Sequence, residues 1–187
     1  MKSILMATTV LLAGSLCIAQ PVQWSEADGG NGHWYEVVEC PECTWLVANE
    51  AALEMAYLER GGHLATVTSA EENNWVWSQF SEPCSYWIGG YQLEGGAEPG
   101  GGWVWVTGED WVFENWSSQG QQEPNNSFNG EPEGYLQFDW NCWPTWNDFP
   151  NFPPSPGFVG GYIVEYDDFG PVGTVSATLG SVKALYR

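Results

Sequence analysis

The chain has 187 residues, 24 of them acidic against 4 basic, for a formal net charge of −20. A surface of that sign repels phosphate backbones and anionic lipid, which excludes nucleic-acid binding and membrane-surface docking and suits divalent cations and neutral ligands. A hydrophobic content of 43%, with 13 tryptophans, is ample for the core of one domain.

Residues 1–19 combine Lys2, a short apolar run and a small residue at Ala19. That pattern predicts a secretory signal peptide, cleaved after Ala19, rather than a membrane span. A short segment follows over 20–30, a domain over 31–167 and a C-terminal tail over 168–187. Cys40, Cys43, Cys84 and Cys142 remain after processing. In an exported protein they are expected to form disulfides, with three pairings open. Cys40-Pro41-Glu42-Cys43 is a CxxC without a second one, so neither a zinc site nor a redox motif is expected.

His33–Val38 reads as an opening strand, rich in aromatic and β-branched residues. Thr44 is a good N-cap for a first helix. Ala48, Ala51, Ala52, Met55 and Leu58 recur at helical spacing, and Gly61-Gly62 is the expected stop. Leu64–Val67 is expected to be extended. Ser69-Ala70-Glu71-Glu72 is a capping box that opens a second helix running to about Phe80. Trp87–Gly90 and Gly102–Val106 are short strands between Gly-rich turns, and Tyr135–Phe138 and Gly161–Tyr166 read as the last two strands. His33 and His63 have no partner at a recognised catalytic spacing and are expected to be structural.

Residues 114–129 are polar, rich in Gln, Asn and Ser, and without periodicity. So long an irregular stretch inside a domain signals function or disorder. It contains Glu123-Pro124-Asn125. Trp146-Asn147-Asp148 follows downstream, with Glu131 and Glu133 between the two motifs. All of these groups offer hard oxygen ligands, carboxylates and amide carbonyls. Calcium takes about six to eight such oxygens in flexible geometry. The two motifs therefore read as two sides of one Ca²⁺ cup.

The order of strand, two helices, WIGG strand, long loop with EPN, WND and closing strand resembles the C-type lectin-like domain. The resemblance rests on Trp45 and Ala48, Gly62–Ala65, Ser69–Glu72, Trp87–Gly89, Trp103–Trp105, Glu123–Asn125, Trp146–Asp148 and Tyr162–Glu165. It implies an α+β fold, with two helices packed on small antiparallel sheets and a long calcium-binding loop. It also implies a cis bond before Pro124 and a metal held by Glu123, Asn125, Asn147, Asp148 and either Glu131 or Glu133. Counting forward from EPN favours Glu131, and counting back from Tyr135 favours Glu133, which is preferred. Glu123, Asn125, Glu133, Asn147 and Asp148 would also bind the vicinal hydroxyls of a sugar. The EPN form implies a mannose- or glucose-type ligand.

The chain departs from the family at its usual cysteines, which would fall near Ala52, Val164 and Tyr135. Their loss implies a core closed by packing. Trp116, Phe128, Trp140, Trp143 and Phe149 flank the loop, where they can pack or stack on a sugar. The expected function is an exported calcium-dependent lectin for adhesion or glycan recognition. The alternative is a protein-binding or structural module of the same fold, with calcium stabilising the loop. No motif singles out an acid–base pair, so an enzyme is not expected.

Overall fold

A computed structural model of the protein describes residues 20–80, 85–138, 141–151 and 158–167. The expected signal peptide, Cys84, Trp140 and the C-terminal tail lie outside the described residues.

The chain opens with β1 (Val22–Gln23), a 3₁₀ turn at Glu26–Asp28 and β2 (Trp34–Glu39). Helix α1 spans Trp45–Leu53 and leads into the hairpin of β3 (Ala56–Tyr57) and β4 (Arg60–Leu64). Helix α2 spans Ala70–Gln79. The remaining strands are β5 (Tyr86–Gln92), β6 (Trp103–Trp105), β7 (Tyr135–Phe138), β8 (Trp146–Phe149) and β9 (Gly161–Tyr166). The fold is α+β, as the resemblance implied.

The last strand is the hub of the sheet. One side of β9 pairs antiparallel with all of β2, from Trp34↔Tyr166 to Glu39↔Gly161. Its other side is shared between β4, antiparallel at Leu64↔Val164, and β5, parallel at Trp87↔Tyr162. From β5 the sheet continues through β7 to β8, with β6 on β5. This path brings Trp146–Phe149 beside Tyr135–Phe138 and so fixes the two ends of the long loop in register.

Helix α1 begins where Thr44 accepts a hydrogen bond from the Val47 N–H at 3.3 Å. It buries Trp45, Ala48 and Ala52, a stripe at helical spacing, against the sheet. The helix stops at Leu53, well before the expected Gly61-Gly62. Met55 and Leu58 continue its spacing, but Leu58 and Glu59 adopt positive φ (49° and 66°) and turn the chain into the β3–β4 hairpin. The packing there is close: a Cβ on Gly62 would lie 2.6 Å from the Ala52 carbonyl oxygen. Ala52 and Val164, where the usual bridge would sit, are fully buried in one apolar cluster. Packing takes the place of that bridge. Tyr135, at the third missing cysteine, packs its ring on Trp45 at 4.9 Å.

Cys40 and Cys43 are free thiols, against the expectation that they would be bridged. They sit in a tight turn between β2 and α1, where the Cys43 N–H donates to the Cys40 carbonyl and the thiols hydrogen-bond each other. Burial, then Cys40, pushes the Cys43 thiol well above the usual range. Cys142 is disulfide-bonded.

Helix α2 is capped as expected, with Ser69 Oγ accepting from the Glu72 N–H at 3.1 Å. The return half of the capping box differs. The Glu72 side chain turns inward instead, accepting from the N–H and hydroxyl of Thr68 at 2.7 and 3.0 Å and from Asn31 and Tyr35. There it meets Glu165 of β9, whose Oε1 lies 2.5 Å from His33 Nδ1 and 3.0 Å from the Tyr35 hydroxyl. Glu165 Oε2 accepts from the Thr66 N–H at 2.9 Å. His63 Nδ1 donates to the Leu64 carbonyl, with Nε2 3.5 Å from Asp167. Both histidines thus serve inside the fold.

A second cluster forms the aromatic core, with Trp105, Trp111, Phe113 and Trp116 gathered around fully buried Trp146. The Trp146 Nε1–H donates to Asn73 of α2 at 2.8 Å. Trp146–Phe149 is a strand that the sequence reading missed, because Asn147 and Asp148 interrupt its apolar pattern. All four residues are nevertheless buried.

Candidate functional site

The long loop between β6 and β7 is built onto β8. The Ser117 N–H donates to the Trp146 carbonyl, and the Trp146 N–H donates back to the Asn115 carbonyl, both at 2.8 Å. Ser117 in turn accepts from the Glu123 N–H at 2.8 Å, which places the EPN motif over the WND strand. The Glu123-Pro124 peptide bond is cis.

Two carboxylates then hold the loop by its backbone. Asp148 accepts from the Asn125 N–H at 3.0 and 3.1 Å and from the Asn126 N–H at 2.8 Å. Glu133 accepts from the Ser127 N–H, while its own N–H donates to Asn126 Oδ1 at 2.9 Å. Charge-assisted bonds of this kind are roughly twice as strong as neutral ones. They explain how a segment without regular structure keeps one shape.

Glu123, Asn125, Glu133 and Asn147 line one cavity of about 570 Å³, and Asp148 is buried behind the loop it clamps. Glu131 does not line it. It is exposed, its N–H donating to the Phe128 carbonyl in a tight turn. The structure thus brings together both motifs and Glu133, and leaves Glu131 outside. Among the flanking aromatics, Phe128, Phe149 and Trp143 line the cavity, whereas Trp116 packs in the core.

The cavity has marks of an unfinished polar site. Asn125 Oδ1 is buried without a hydrogen-bond partner. Burial raises the Glu133 carboxyl to about 7, with the Asp148 charge pushing the same way and the Ser127 N–H opposing both. Such a buried acceptor and an unneutralised carboxylate pair are costly unless a cation or donor meets them. Among the described residues no three His, Cys, Asp or Glu side chains gather as a cage able to hold a metal alone. The amide oxygens of Asn125 and Asn147 would have to complete one. All the groups are hard oxygens, so the set fits calcium and not a thiophilic metal.

The reading from sequence missed Gln119, Gln121, Asn141 and Phe158 in the lining, and the backbone amides of Asn126 and Ser127. The amide-rich composition of the loop was a signal for Gln119 and Gln121, and nothing in the sequence pointed to Asn141 or Phe158.

No protein-family model matches the chain. It is 30% identical over 152 residues to halomucin of Haloquadratum walsbyi, an alignment covering 76% of this chain and only 2% of that protein. In structure it is similar to the lectin CEL-I from Cucumaria echinata (TM-score 0.57, 21% identity, 82% of this chain and 99% of that one). It is equally similar to the carbohydrate-recognition domain of cow CD23, solved in the presence of a GlcNAc2Man3 oligosaccharide (TM-score 0.56, 20% identity, 80% and 94% covered). A calcium-independent type II antifreeze protein shares the fold as well (TM-score 0.53, 19% identity, 81% and 92% covered).

Proposed function

From the premise that this chain has the C-type lectin-like fold, we propose that it is an exported, calcium-dependent carbohydrate-binding protein of mannose or glucose type, whose domain occupies residues 31–167. It is a binding module and not an enzyme. Fold alone does not fix function, so the reading rests on the site. The observation that carries it is the buried, unpartnered Asn125 Oδ1 in one cavity with Glu123, Glu133 and Asn147.

Glu123, Asn125, Glu133, Asn147 and Asp148 would hold the ion. The burial of Glu133 and the exposure of Glu131 favour Glu133 as the fifth residue. Bound calcium would supply coordination positions for two vicinal sugar hydroxyls. The carboxylates accept hydrogen bonds from those hydroxyls, and the Asn Nδ2 groups donate to them. For adhesion, a single shallow site needs multivalent presentation to be effective. Export is consistent with the signal-like segment, and among the described residues no helix is long and apolar enough to cross a membrane.

The second reading is a module that binds protein or a surface without sugar. The calcium-independent antifreeze protein of the same fold keeps it in play. Calorimetric titration of Ca²⁺ into chelator-treated protein, then of mannose with and without the ion, separates the two. The expected result is one Ca²⁺, with mannose taken up only in its presence. An Asn147→Ala, Asp148→Ala variant should lose both. Asn125→Ala, which leaves the loop's backbone bonds intact, controls for folding. Calcium binding without sugar on a glycan panel supports the second reading, and absence of calcium binding sinks the lectin reading.

A further inference from the structure

We propose that Trp143 forms the wall of a second sugar subsite, so that the ligand is a neutral oligosaccharide of at least two rings rather than a single hexose. This rests on the lectin reading above and extends it.

The first observation is one of burial. Every described Trp, Tyr and Phe is buried or half-buried except Trp143, which is 50% exposed. A chain that packs its other described tryptophans against protein leaves this one exposed in the wall of the cavity lined by Glu123, Asn125, Glu133 and Asn147. An indole presents a broad apolar face with a polar N–H at its edge, which suits a surface that must stay wet when empty and bind when filled. A pyranose offers the complement, a face of C–H groups rimmed by hydroxyls. The exposed amides of Gln119, Gln121 and Asn141 line the same cavity and can meet those hydroxyls.

The second observation is that Trp143 stands on a fixed support. The carbonyl of the next residue, Pro144, accepts from Asn73 Nδ2 of α2 at 2.8 Å and from Asn115 Nδ2 of the long loop. Residue 142 is tied by its disulfide, and residue 146 is buried in β8. The backbone under the indole is therefore ordered before any ligand arrives, which lowers the entropic cost of binding.

Size and charge define the occupant. The cavity volume of about 570 Å³ lies within the range of about 300–1,000 Å³ that encloses drug-sized molecules. A disaccharide is of that class, whereas one hexose held by Glu123, Asn125, Glu133 and Asn147 fills only part of that volume and leaves room for a second ring against Trp143. Among the described residues no Lys or Arg lines the cavity, and the chain carries a net charge of −20. Sialylated, sulfated or uronic sugars would bring further negative charge onto this acidic surface, with only the bound calcium to offset it.

The test compares wild type, Trp143→Ala and Trp143→Phe in saturating calcium. The probes are mannose, mannotriose and an array of neutral oligosaccharides ending in mannose or glucose, with sialylated counterparts. The best neutral oligosaccharide should bind wild type about tenfold more tightly than mannose. Trp143→Ala should abolish that advantage while leaving mannose and calcium affinity unchanged, and Trp143→Phe should keep part of it. Sialylated counterparts should bind more weakly than the neutral ones. The proposal is overturned if no oligosaccharide outbinds mannose in wild type, or if Trp143→Ala weakens mannose and oligosaccharide equally. Wild type that binds neither sugar in calcium marks instead the failure of the lectin reading beneath it.

Discussion

Two carboxylate-rich regions lie at the two ends of the β9–β5–β7–β8 stretch of the sheet, and they are finished to different degrees. Around Glu165, every described carboxylate oxygen that the network buries is met by the protein's own donors: His33, Tyr35 and Thr66 on Glu165, and Thr68, Asn31 and Tyr35 on Glu72. In the long loop, among the described residues, Asp148 and Glu133 are met only by backbone N–H groups, while the Asn125 Oδ1 beside them has no partner. A closed buried network specifies a core, whereas an open one signals a ligand. Acidic composition cannot distinguish the two. Counting donors does.

The largest effect that could break this contrast comes from removing one carboxylate at each end. Glu165→Ala strands His33, Tyr35 and the Thr66 N–H around a buried gap, and a loss of about 3–5 kcal/mol is expected. Asp148→Ala frees two loop N–H groups, which water can reach more easily, and about 1–3 kcal/mol is expected. Calcium should raise the urea midpoint of wild type and of Glu165→Ala, by roughly 2.7 kcal/mol at a hundredfold excess over Kd. It should do nothing for Asp148→Ala. Urea melts with and without the ion measure all of these. Equal costs for the two variants, or calcium rescue of Asp148→Ala, would erase the distinction.

How much of this was legible beforehand follows the same division. Local rules placed the Ser69 cap and the β9 strand, because a capping hydroxyl and a run of Tyr, Ile and Val each act over a few residues. They failed where tertiary contact decides. Met55 and Leu58 kept helical spacing, yet the chain left the helix at Leu53 to lay β4 along β9. Trp146–Phe149 lacked a strand's alternation because Asn147 and Asp148 are buried by the loop above them rather than by apolar neighbours. The motifs identified Glu123, Asn125, Asn147 and Asp148 as a set. Only the fold shows that Glu133, and not Glu131, shares a cavity with Glu123, Asn125 and Asn147. Composition also could not single out Trp143, since exposure is a property of the folded surface.

A smaller effect comes from pH, which titrates Glu133 in the loop but acts mostly on the closed network. Burial lowers the His63 pKa, but Asp167 and Glu165 outweigh it and carry the value to about 9. Its stabilisation is complete below the unfolded value of about 6.5 and is lost as pH climbs through about 9. Burial and Glu165 raise Glu72 to about 7, so its contribution is complete below about 4.5 and lost on rising through about 7. Glu165 works in the other direction. Burial opposes its charge, yet His33, His63 and the Thr66 N–H hold it below the usual range, and its contribution is lost as acid protonates it. Unfolding free energy should therefore be greatest near pH 5–6 and decline toward pH 9, by about 1–3 kcal/mol. His63→Gln should flatten the upper part of that decline. A wild-type profile level from pH 6 to 9 would show that the histidines are not charged in the fold.

The smallest effect, and the one that most directly separates the two regions, is ionic strength. The Debye length falls from about 10 Å at 0.1 M salt to about 3 Å at 1 M. The loop cavity opens to solvent among exposed Gln119, Gln121 and Asn141, and its attraction for a cation is augmented by a chain of net charge −20. Calcium affinity should therefore weaken several-fold over that range as the long-range field is screened. Glu165 is fully buried, and its bonds act at 2.5–3.0 Å with no solvent between. The cost of Glu165→Ala should stay the same within about 0.5 kcal/mol, even as both proteins gain stability from relief of self-repulsion. If the cost instead fell with salt in step with calcium affinity, solvent would be reaching Glu165, and the region read as closed would be a second open one.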